Sequence, residues 1–209
     1  FFDKKKGIIK CGSGVLISEI LPLIINKGWF LPVTPGSKKI SIGGMIASNV
    51  HGKNQHIDGC FHNFILSIDL IDKNKKIKTC SNNINKSLFD FTIGGMGLTG
   101  IILSASIKLK KINCSKIDQS TKVFSSINKI VDDMMRNTYD YSVSWLDFNH
   151  KNSRGVIFYG KHSDKVKDKI KYINSKKRIP YIKPYLLNNL TIEIFNRFYF
   201  YLNKILKHK

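Results

Sequence analysis

The sequence lacks the short motifs that mark most metal and nucleotide sites. Its four cysteines are widely spaced and form no C-x-x-C pair, and its six histidines include no H-E-x-x-H run. The common zinc motifs are thereby excluded. No G-x-x-x-x-G-K-[ST] run for nucleotide phosphates is present either. We therefore predict no metal site, and reduced thiols of the kind found in cytoplasmic proteins.

Long apolar runs are also absent. No run approaches the about 20 apolar residues that a membrane-spanning helix needs, and no signal-peptide pattern opens the chain. The first residue is Phe1 rather than Met, and Phe1–Lys4 resembles the end of a strand already under way. We expect a fragment of a longer cytoplasmic protein.

Acidic residues are scarce, since 35 Lys and Arg stand against 14 Asp and Glu for a formal net charge of +21. Such a charge is typical of proteins that bind nucleic acid or anionic membranes. The lysines are scattered among Ile and Asn, however, with no Arg-rich helix and no paired aromatics on a strand. We expect solvated surface lysine and no nucleic-acid partner. A non-catalytic basic nucleic-acid-binding or scaffold fragment is the alternative of another class, because it explains the charge but not the glycines.

Glycine content divides the chain. Thirteen of the fifteen glycines lie in residues 1–100, and the polar stretch Lys111–Ser120 follows. We predict a boundary near residue 112, with one domain over 1–112 and a second over 113–209. The composition is that of a globular protein with mixed helices and strands, so the predicted fold class is α+β.

Apolar periodicity and turn residues predict the elements of both parts. Alternation around a polar turn predicts a hairpin of Ile65–Ile71 and Ile77–Cys80. The other predicted strands are Gly7–Cys11, Trp29–Val33, Ile101–Leu109, Tyr141–Phe148 and Val156–Tyr159. Helices are predicted from a Ser18 cap to Gly28, over Val123–Met135 and over Leu190–Leu206.

The glycines form two clusters, Pro35–Asn54 and Gly94–Gly100. Glycine is needed where the backbone takes a positive φ or lies close against a ligand. The second cluster contains G-x-G-x-x-G, but a β-branched strand follows it where a dinucleotide site needs a long helix. The pattern indicates either tight turns or a ligand cradle of another type.

Together the two clusters resemble FAD-binding oxidoreductases of the vanillyl-alcohol oxidase and p-cresol methylhydroxylase superfamily. The resemblance is carried, in chain order, by Pro35–Ser37, Ser41–Gly44, Ala47–Asn54 and Gly94–Ile102. Within that superfamily, the His-Gly-Lys-Asn run and the later Tyr141–Asp147 look most like the decaprenylphosphoryl-ribose 2′-oxidase flavoprotein subunits.

This resemblance implies the second subdomain of a PCMH-type FAD-binding domain in residues 1–112 and the start of an antiparallel-sheet substrate domain in 113–209. It also implies that the subdomain with the main pyrophosphate loop precedes Phe1, and that further substrate-domain strands follow Lys209.

The resemblance further implies which residues contact FAD. The backbone of the Pro-Gly and Gly-Gly steps would lie against the pyrophosphate and the flavin ring, where clustered amides suit an anion. Residues 48–51 would line the ring, and Ile101 would close the adenine side. The complete set of expected FAD contacts is Gly36, Ser37, Ser41, Ile42, Gly43, Gly44, Ser48, Asn49, Val50, His51 and Ile101.

The reaction implied is hydride transfer to FAD from a secondary alcohol of a sugar or lipid-linked sugar, with a polyprenyl-phosphate sugar as an expected substrate. His51 and Lys53 are the predicted catalytic residues, His51 in the polar pocket around the substrate hydroxyl and Lys53 beside a phosphate or developing charge. Trp145 is expected to form a substrate wall. The alternatives are that His51 packs beside the flavin ring without moving a proton, and that Lys53 is simply solvated.

Two further expectations concern electron flow. An aldonolactone oxidase of the same superfamily, which passes electrons to oxygen, is the alternative activity. Whether a separate reductase partner finishes the reaction is left open by the sequence.

The last predicted helix is amphipathic and basic. Ile194, Phe198, Tyr201 and Ile205 share one face at helical spacing, while Arg197, Lys204, Lys207 and Lys209 add positive charge. A stripe of this kind occurs both in core helices and in helices lying at a membrane surface. We favour the core, with peripheral membrane contact only where the cationic residues of 151–209 reach anionic lipid.

Overall fold

The computed structural model describes residues 1–164, 181, 183, 184 and 187–206. The chain forms two compact units, one over Phe1–Ser115 with Ser163 and Asp164, the other over Lys116–His162 with the described residues from Tyr181 onward. Both units combine helices with antiparallel sheets, which confirms the predicted α+β class.

The first unit is built around a five-stranded antiparallel sheet. Its elements in chain order are β1 (Phe2–Asp3), β2 (Ile8–Gly12), α1 (Ile17–Ile25), β3 (Trp29–Phe30), α2 (Ile42–Ala47), α3 (Gln55–Asp58), a 3-10 turn (Phe61–Phe64), β4 (Ile65–Ile71), β5 (Ile77–Cys80), α4 (Lys86–Thr92), β6 (Ile101–Lys108) and β7 (Lys110–Lys111). The strand order is β1-β2-β6-β4-β5, and β3 pairs separately with β7.

The predicted hairpin is confirmed, and its turn explains its register. Asp72 Oδ1 accepts hydrogen bonds from the amides of Asn74 and Lys76, and Lys75 takes a positive φ of 59°. This side chain-to-backbone closure is how Asp organises a tight turn. As a result, Ile68 stands opposite Cys80 and Ile71 opposite Ile77.

Helix α1 differs from its prediction at the start. Ser18 was expected to cap it, but the N-cap is Leu16, whose amide donates to Glu19 Oε2, and the Ser18 amide donates to Lys38 O. Ile17, Ile20 and the later isoleucines of α1 are buried in the core beneath the sheet. The Glu19 carboxylate thus accepts a hydrogen bond from the N-cap amide at the start of the helix, as in a capping box, and no serine cap is present.

The second unit contains β8 (Ile117–Phe124), α5 (Ile127–Met135), β9 (Tyr141–Asp147), β10 (Arg154–His162) and α6 (Asn189–Ile205), with the sheet order β8-β10-β9. Helix α5 begins later than predicted because Ser126 caps it by accepting from the Lys129 amide. Residues 123 and 124 belong to β8 instead, a strand that was not predicted because Asp118–Ser120 and Lys122 are polar.

The apolar stripe of α6 corrects the sequence prediction. Phe198 is 64% exposed, and Ile194, Tyr201 and Ile205 are exposed as well. Phe200, in contrast, is buried, with 7% of its surface exposed. The stripe therefore does not face the core formed by the described residues. Of the predicted cationic rim, Lys207 and Lys209 lie outside the described residues.

Candidate functional site

Helix α2 is the centre of the first glycine cluster. Ser41 is its N-cap and accepts from the Gly44 amide at 3.2 Å. The Ile42 amide donates to Val15 O at 2.9 Å, and the Gly43 amide donates to Ser13 O at 2.7 Å. These three amides donate within the protein, so the FAD contacts of Ile42, Gly43 and Gly44, which remain predictions, would be made by other atoms.

Gly43 and Gly36 of this cluster are explained by different physical requirements. A Cβ on Gly43 would lie 2.9 Å from the Ser13 Cβ and 3.2 Å from the Ser13 carbonyl oxygen, so the close approach of two backbone segments requires glycine there. A Cβ on Gly36 would meet no protein atom within 4 Å. Gly36 and Ser37 are exposed, so this turn leaves an open surface against which a ligand can lie.

The second glycine cluster lies against the end of α2. The Gly94 amide donates to Ile46 O and the Met96 amide to Ala47 O, both at 2.9 Å. Positive φ angles occur at Gly94 (77°), Met96 (51°) and Gly97 (83°), which explains the glycine density of this turn. A Cβ on Gly97 would also meet no atom within 4 Å. The fold thus brings the two clusters together although about 50 residues separate them in sequence.

The His-Gly-Lys-Asn segment returns to the Pro-Gly turn. A Cβ on Gly52 would lie 3.0 Å from Thr34 O and 3.3 Å from Thr34 N, so glycine lets these two segments touch just before the Pro35–Ser37 turn. His51 and Lys53 on either side are both exposed. The predicted catalytic residues are therefore exposed on either side of a glycine that contacts Thr34, the residue before the Pro-Gly turn.

Asn54 anchors this segment and was not predicted as a site residue. Its side chain is buried, and its Nδ2 donates to Pro32 O at 2.7 Å and to Asp58 Oδ2 at 2.6 Å. Asp58 in turn pairs with Lys110 at 2.8 Å. The sequence signal for Asn54 was its place at the end of the His-Gly-Lys-Asn run, but only the fold shows that it ties this run to the core.

Asn49 and Val50, which are predicted to line the flavin ring, are held by a short antiparallel contact. Asn49 Oδ1 accepts from the His62 amide at 3.1 Å, and the Phe61 amide donates to Val50 O at 2.9 Å. Asn49 itself has a positive φ of 41°. Ser48 is exposed, and so is Ile101, at 68%, where β6 pairs with Ile71 of β4.

Trp145 belongs to the second unit, whereas the other predicted site residues belong to the first. It lies on β9, and its ring meets that of Tyr199 edge-on, with 4.8 Å between ring centroids. No group of three or more His, Cys, Asp or Glu side chains that could hold a metal occurs in the described ranges. Nor does any described helix combine the length and the apolar character that crossing a membrane requires.

These features fit FAD. A dinucleotide cofactor needs backbone that it can approach closely, and Gly36 and Gly97 leave such space open. Ser37, Ser48 and His51 of the predicted set are exposed polar residues that a ligand can contact. The fit therefore comes from open glycine turns and side chains, rather than from the amides at the start of α2.

Comparison with known proteins supports this assignment. Residues 1–81 match the FAD binding domain family. The chain is 30% identical over 149 residues, 69% of its length and 32% of the relative's, to decaprenylphosphoryl-β-D-ribose oxidase of Mycolicibacterium smegmatis. It is 25% identical over 179 residues, 81% of its length and 31% of the relative's, to the mitochondrial D-2-hydroxyglutarate dehydrogenase of Arabidopsis thaliana.

A D-lactate dehydrogenase of Archaeoglobus fulgidus is 29% identical over 112 residues, which is 51% of this chain and 25% of that relative. The matched region thus spans about a quarter to a third of the length of these relatives. The resemblance to FAD-binding oxidoreductases that was inferred from the two glycine clusters is confirmed, and FAD is the cofactor.

Proposed function

We propose that the protein oxidises a secondary alcohol of a sugar or lipid-linked sugar by passing hydride to FAD, with a polyprenyl-phosphate sugar as the substrate. The observation that carries the proposal is the joining of the two glycine clusters beside the exposed His51 and Lys53. The name of the Mycolicibacterium relative, decaprenylphosphoryl-β-D-ribose oxidase, supports a phosphorylated lipid-linked sugar as substrate. A separate reductase partner belongs to the same proposal.

The residues of this chain supply position and polarity. When bound, FAD supplies the hydride acceptor. Gly36 and Gly97 leave the space in which the cofactor can approach the backbone, and we assign the FAD contacts to the predicted set from Gly36 to Ile101. His51 takes the proton of the substrate hydroxyl as the hydride leaves, because imidazole can accept a proton near neutral pH. Lys53 holds negative charge on the substrate.

Gly36→Val tests the cofactor surface without disturbing the fold. A Cβ at this position meets no protein atom within 4 Å, so we expect unchanged thermal unfolding of the apoprotein and a loss of FAD affinity of at least about tenfold. Gly36→Ala, which adds one methyl group, should weaken FAD binding less. Both affinities are measured by fluorescence titration of the full protein with FAD. Wild-type affinity in the Val variant would reject the assignment of this turn.

His51→Ala tests the proton-transfer role. We expect normal flavin content and a rate of flavin reduction by a polyprenyl-phosphate sugar that falls about 100-fold or more, the usual contribution of a general base. The matched control is His56→Ala, another exposed histidine of the first unit, which should keep the wild-type rate. Wild-type flavin reduction by His51→Ala would assign His51 to packing beside the ring.

The substrate class and the electron acceptor are tested with the same protein. Anaerobic flavin reduction is compared among the polyprenyl-phosphate sugar, an aldonolactone, D-lactate and D-2-hydroxyglutarate. Faster reduction by a 2-hydroxy acid or an aldonolactone would overturn the proposed substrate while leaving FAD binding intact. Reoxidation by oxygen and by quinone-type dyes then separates an oxidase from an enzyme that needs another acceptor.

A further inference from the structure

The second unit contains a pocket of about 380 Å³ formed between its sheet and α6. Arg154 and Lys204 bring two positive charges to its lining, and His150 adds an imidazole. Phe200 and Tyr201 supply aromatic surface. No carboxylate is among the described residues that line it. All of these residues belong to the second unit.

The buried Arg154 side chain donates a hydrogen bond to Asp147 through one of its nitrogens. Its side chain is 6% exposed, and its Nε donates to Asp147 Oδ2 at 3.0 Å. The other Asp147 oxygen accepts from Asn196 Nδ2 at 2.8 Å. A guanidinium carries five N–H donors, and Nε–H is the one with a protein acceptor in the part of the chain that the structure describes. The terminal N–H groups thus remain for another acceptor.

The aromatic side chains complete a two-part site. The Arg154 guanidinium carbon lies 4.5 Å from the Phe200 ring centroid and 5.8 Å from that of Tyr201. Both distances are within the range of cation–π contacts, and the two rings, which meet edge-on at 83°, provide apolar surface beside the guanidinium. Asp147 balances the charge of Arg154, and Lys204, at the exposed end of α6, adds a net positive charge. An anion attached to an apolar or flat group matches both halves.

We propose that this pocket binds a phosphate monoester whose phosphate is held by Arg154 and Lys204 and whose organic part lies against Phe200 and Tyr201. A guanidinium presents paired donors that match phosphate oxygens, and an ammonium adds a point charge. The site requires no flavin, so ligand binding in this pocket is independent of the proposed reaction. A soluble phosphate ester and a lipid phosphate headgroup share this chemistry.

Calorimetric titration of the full, FAD-saturated protein with phenyl phosphate tests the site at 150 mM salt, where diffuse attraction to the basic chain is screened. We expect phenyl phosphate to bind about tenfold more tightly than inorganic phosphate, because of the aromatic surface. Lys204→Met should weaken it about fivefold. The control Lys129→Met, also an exposed lysine of the second unit, should leave the affinity unchanged. Equal weakening by both variants, or no binding, would overturn the proposal.

Two further variants separate the halves of the site and guard against misfolding. Tyr201→Leu keeps every charge, so it should reduce the preference for phenyl phosphate over inorganic phosphate and leave inorganic phosphate binding unchanged. Arg154→Lys keeps a cation beside Asp147 but loses the paired donors, and should weaken both ligands in protein whose Trp145 fluorescence shows a folded second unit. Wild-type affinity in Arg154→Lys, or an unaltered preference in Tyr201→Leu, would contradict the proposal.

Vesicles distinguish the two sources of phosphate. The protein is sedimented with phosphatidic acid vesicles in the presence and absence of phenyl phosphate. Release by phenyl phosphate, lost in Lys204→Met, would identify a lipid headgroup as the ligand. Sedimentation that phenyl phosphate does not change would identify a soluble phosphate ester.

Discussion

The two units of the chain are stabilised in different ways. In the first unit, twenty buried apolar residues form one cluster, and its candidate site consists mainly of glycine turns. In the second unit, the corresponding cluster of described residues contains Ile130, Ile157 and Tyr159, and its pocket is lined by charged and aromatic side chains. The first unit therefore depends on close packing of backbone and apolar side chains, and the second depends more on a few buried polar contacts.

The buried ion pair gives the largest expected effect. Asp147→Ala would leave the Arg154 guanidinium buried without its carboxylate and remove the acceptor of Asn196. We expect a loss of about 3–5 kcal/mol in the unfolding free energy of the second unit. The measurement uses a Trp29→Phe background, in which Trp145 of the second unit is the one tryptophan of these 209 residues. Unfolding of the second unit in urea is followed through the fluorescence of Trp145.

The control for this change is Glu193→Ala. Glu193 pairs with Arg197 one turn away on α6, and both side chains are more than half exposed. Its removal should change the unfolding free energy by less than about 0.5 kcal/mol. Equal effects of the two substitutions would mean that the buried pair does not stabilise the second unit.

In the first unit the largest expected effect comes from a glycine. Gly100 has a φ of 148°, and a Cβ there would lie 2.2 Å from Ile71 O on the neighbouring strand. We expect Gly100→Ala to lower the unfolding free energy by about 3 kcal/mol, because strain and a backbone clash combine. The measurement is urea unfolding followed through Trp29 in a Trp145→Phe background.

Gly97→Ala separates the two causes. Its φ is also positive, at 83°, but no atom lies within 4 Å of the added Cβ. It should cost about 1 kcal/mol, from backbone strain alone. A Gly100 variant no less stable than the Gly97 variant would show that the strand moves to accept the methyl group.

The sequence predicted local features of both units better than distant ones. The β4–β5 hairpin was predicted residue for residue, because alternation and the Asp72 turn are encoded within a few positions. The glycine motifs likewise predicted FAD. The reason for Gly43 was not predicted, since it depends on Ser13, which lies 30 positions earlier.

The pocket of the second unit could not be predicted for the same reason. Arg154, His150 and Lys204 follow no common spacing, and they meet only because α6 packs on the sheet. The α5 start was missed because Val123 and Phe124 fit either a helix or a strand by periodicity, and the Ser126 cap decides between them.

A carboxylate of the first unit provides an intermediate effect that depends on pH. Hydrogen bonds from Lys10, Ser104 and Thr79 lower the pKa of Asp69 to about 2. The unfolded value is about 3.9. The carboxylate therefore stabilises the fold fully above the unfolded pKa, and this contribution is lost as the pH falls towards 2. Because the side chain is 21% exposed, we expect it to contribute about 1–2 kcal/mol.

Asp69→Asn tests this dependence by urea unfolding at pH 6 and at pH 2.5. The wild-type protein should lose about 1–2 kcal/mol more between the two pH values than the variant does. Asp90→Asn is the control, because Asp90 forms an exposed pair with Lys86 on α4, and it should behave as the wild type. Parallel pH curves for the wild type and Asp69→Asn would reject the role of this carboxylate.

The smallest expected effect concerns the α6 stripe, in which the exposed Phe198 is compared with the buried Phe200 two positions away. Phe198 is 64% exposed and Phe200 is 7% exposed. Phe198→Ala should change the unfolding free energy of the second unit by less than about 0.5 kcal/mol, whereas Phe200→Ala should cost about 3 kcal/mol or more. Both are measured through Trp145 fluorescence in the Trp29→Phe background. A cost for Phe198→Ala near that of Phe200→Ala would show that the stripe is covered in solution. Phe198→Ala is also sedimented with anionic and with neutral vesicles. If its stability cost is small, and if it loses more binding to anionic vesicles than to neutral ones relative to the wild type, the stripe is assigned to a lipid surface.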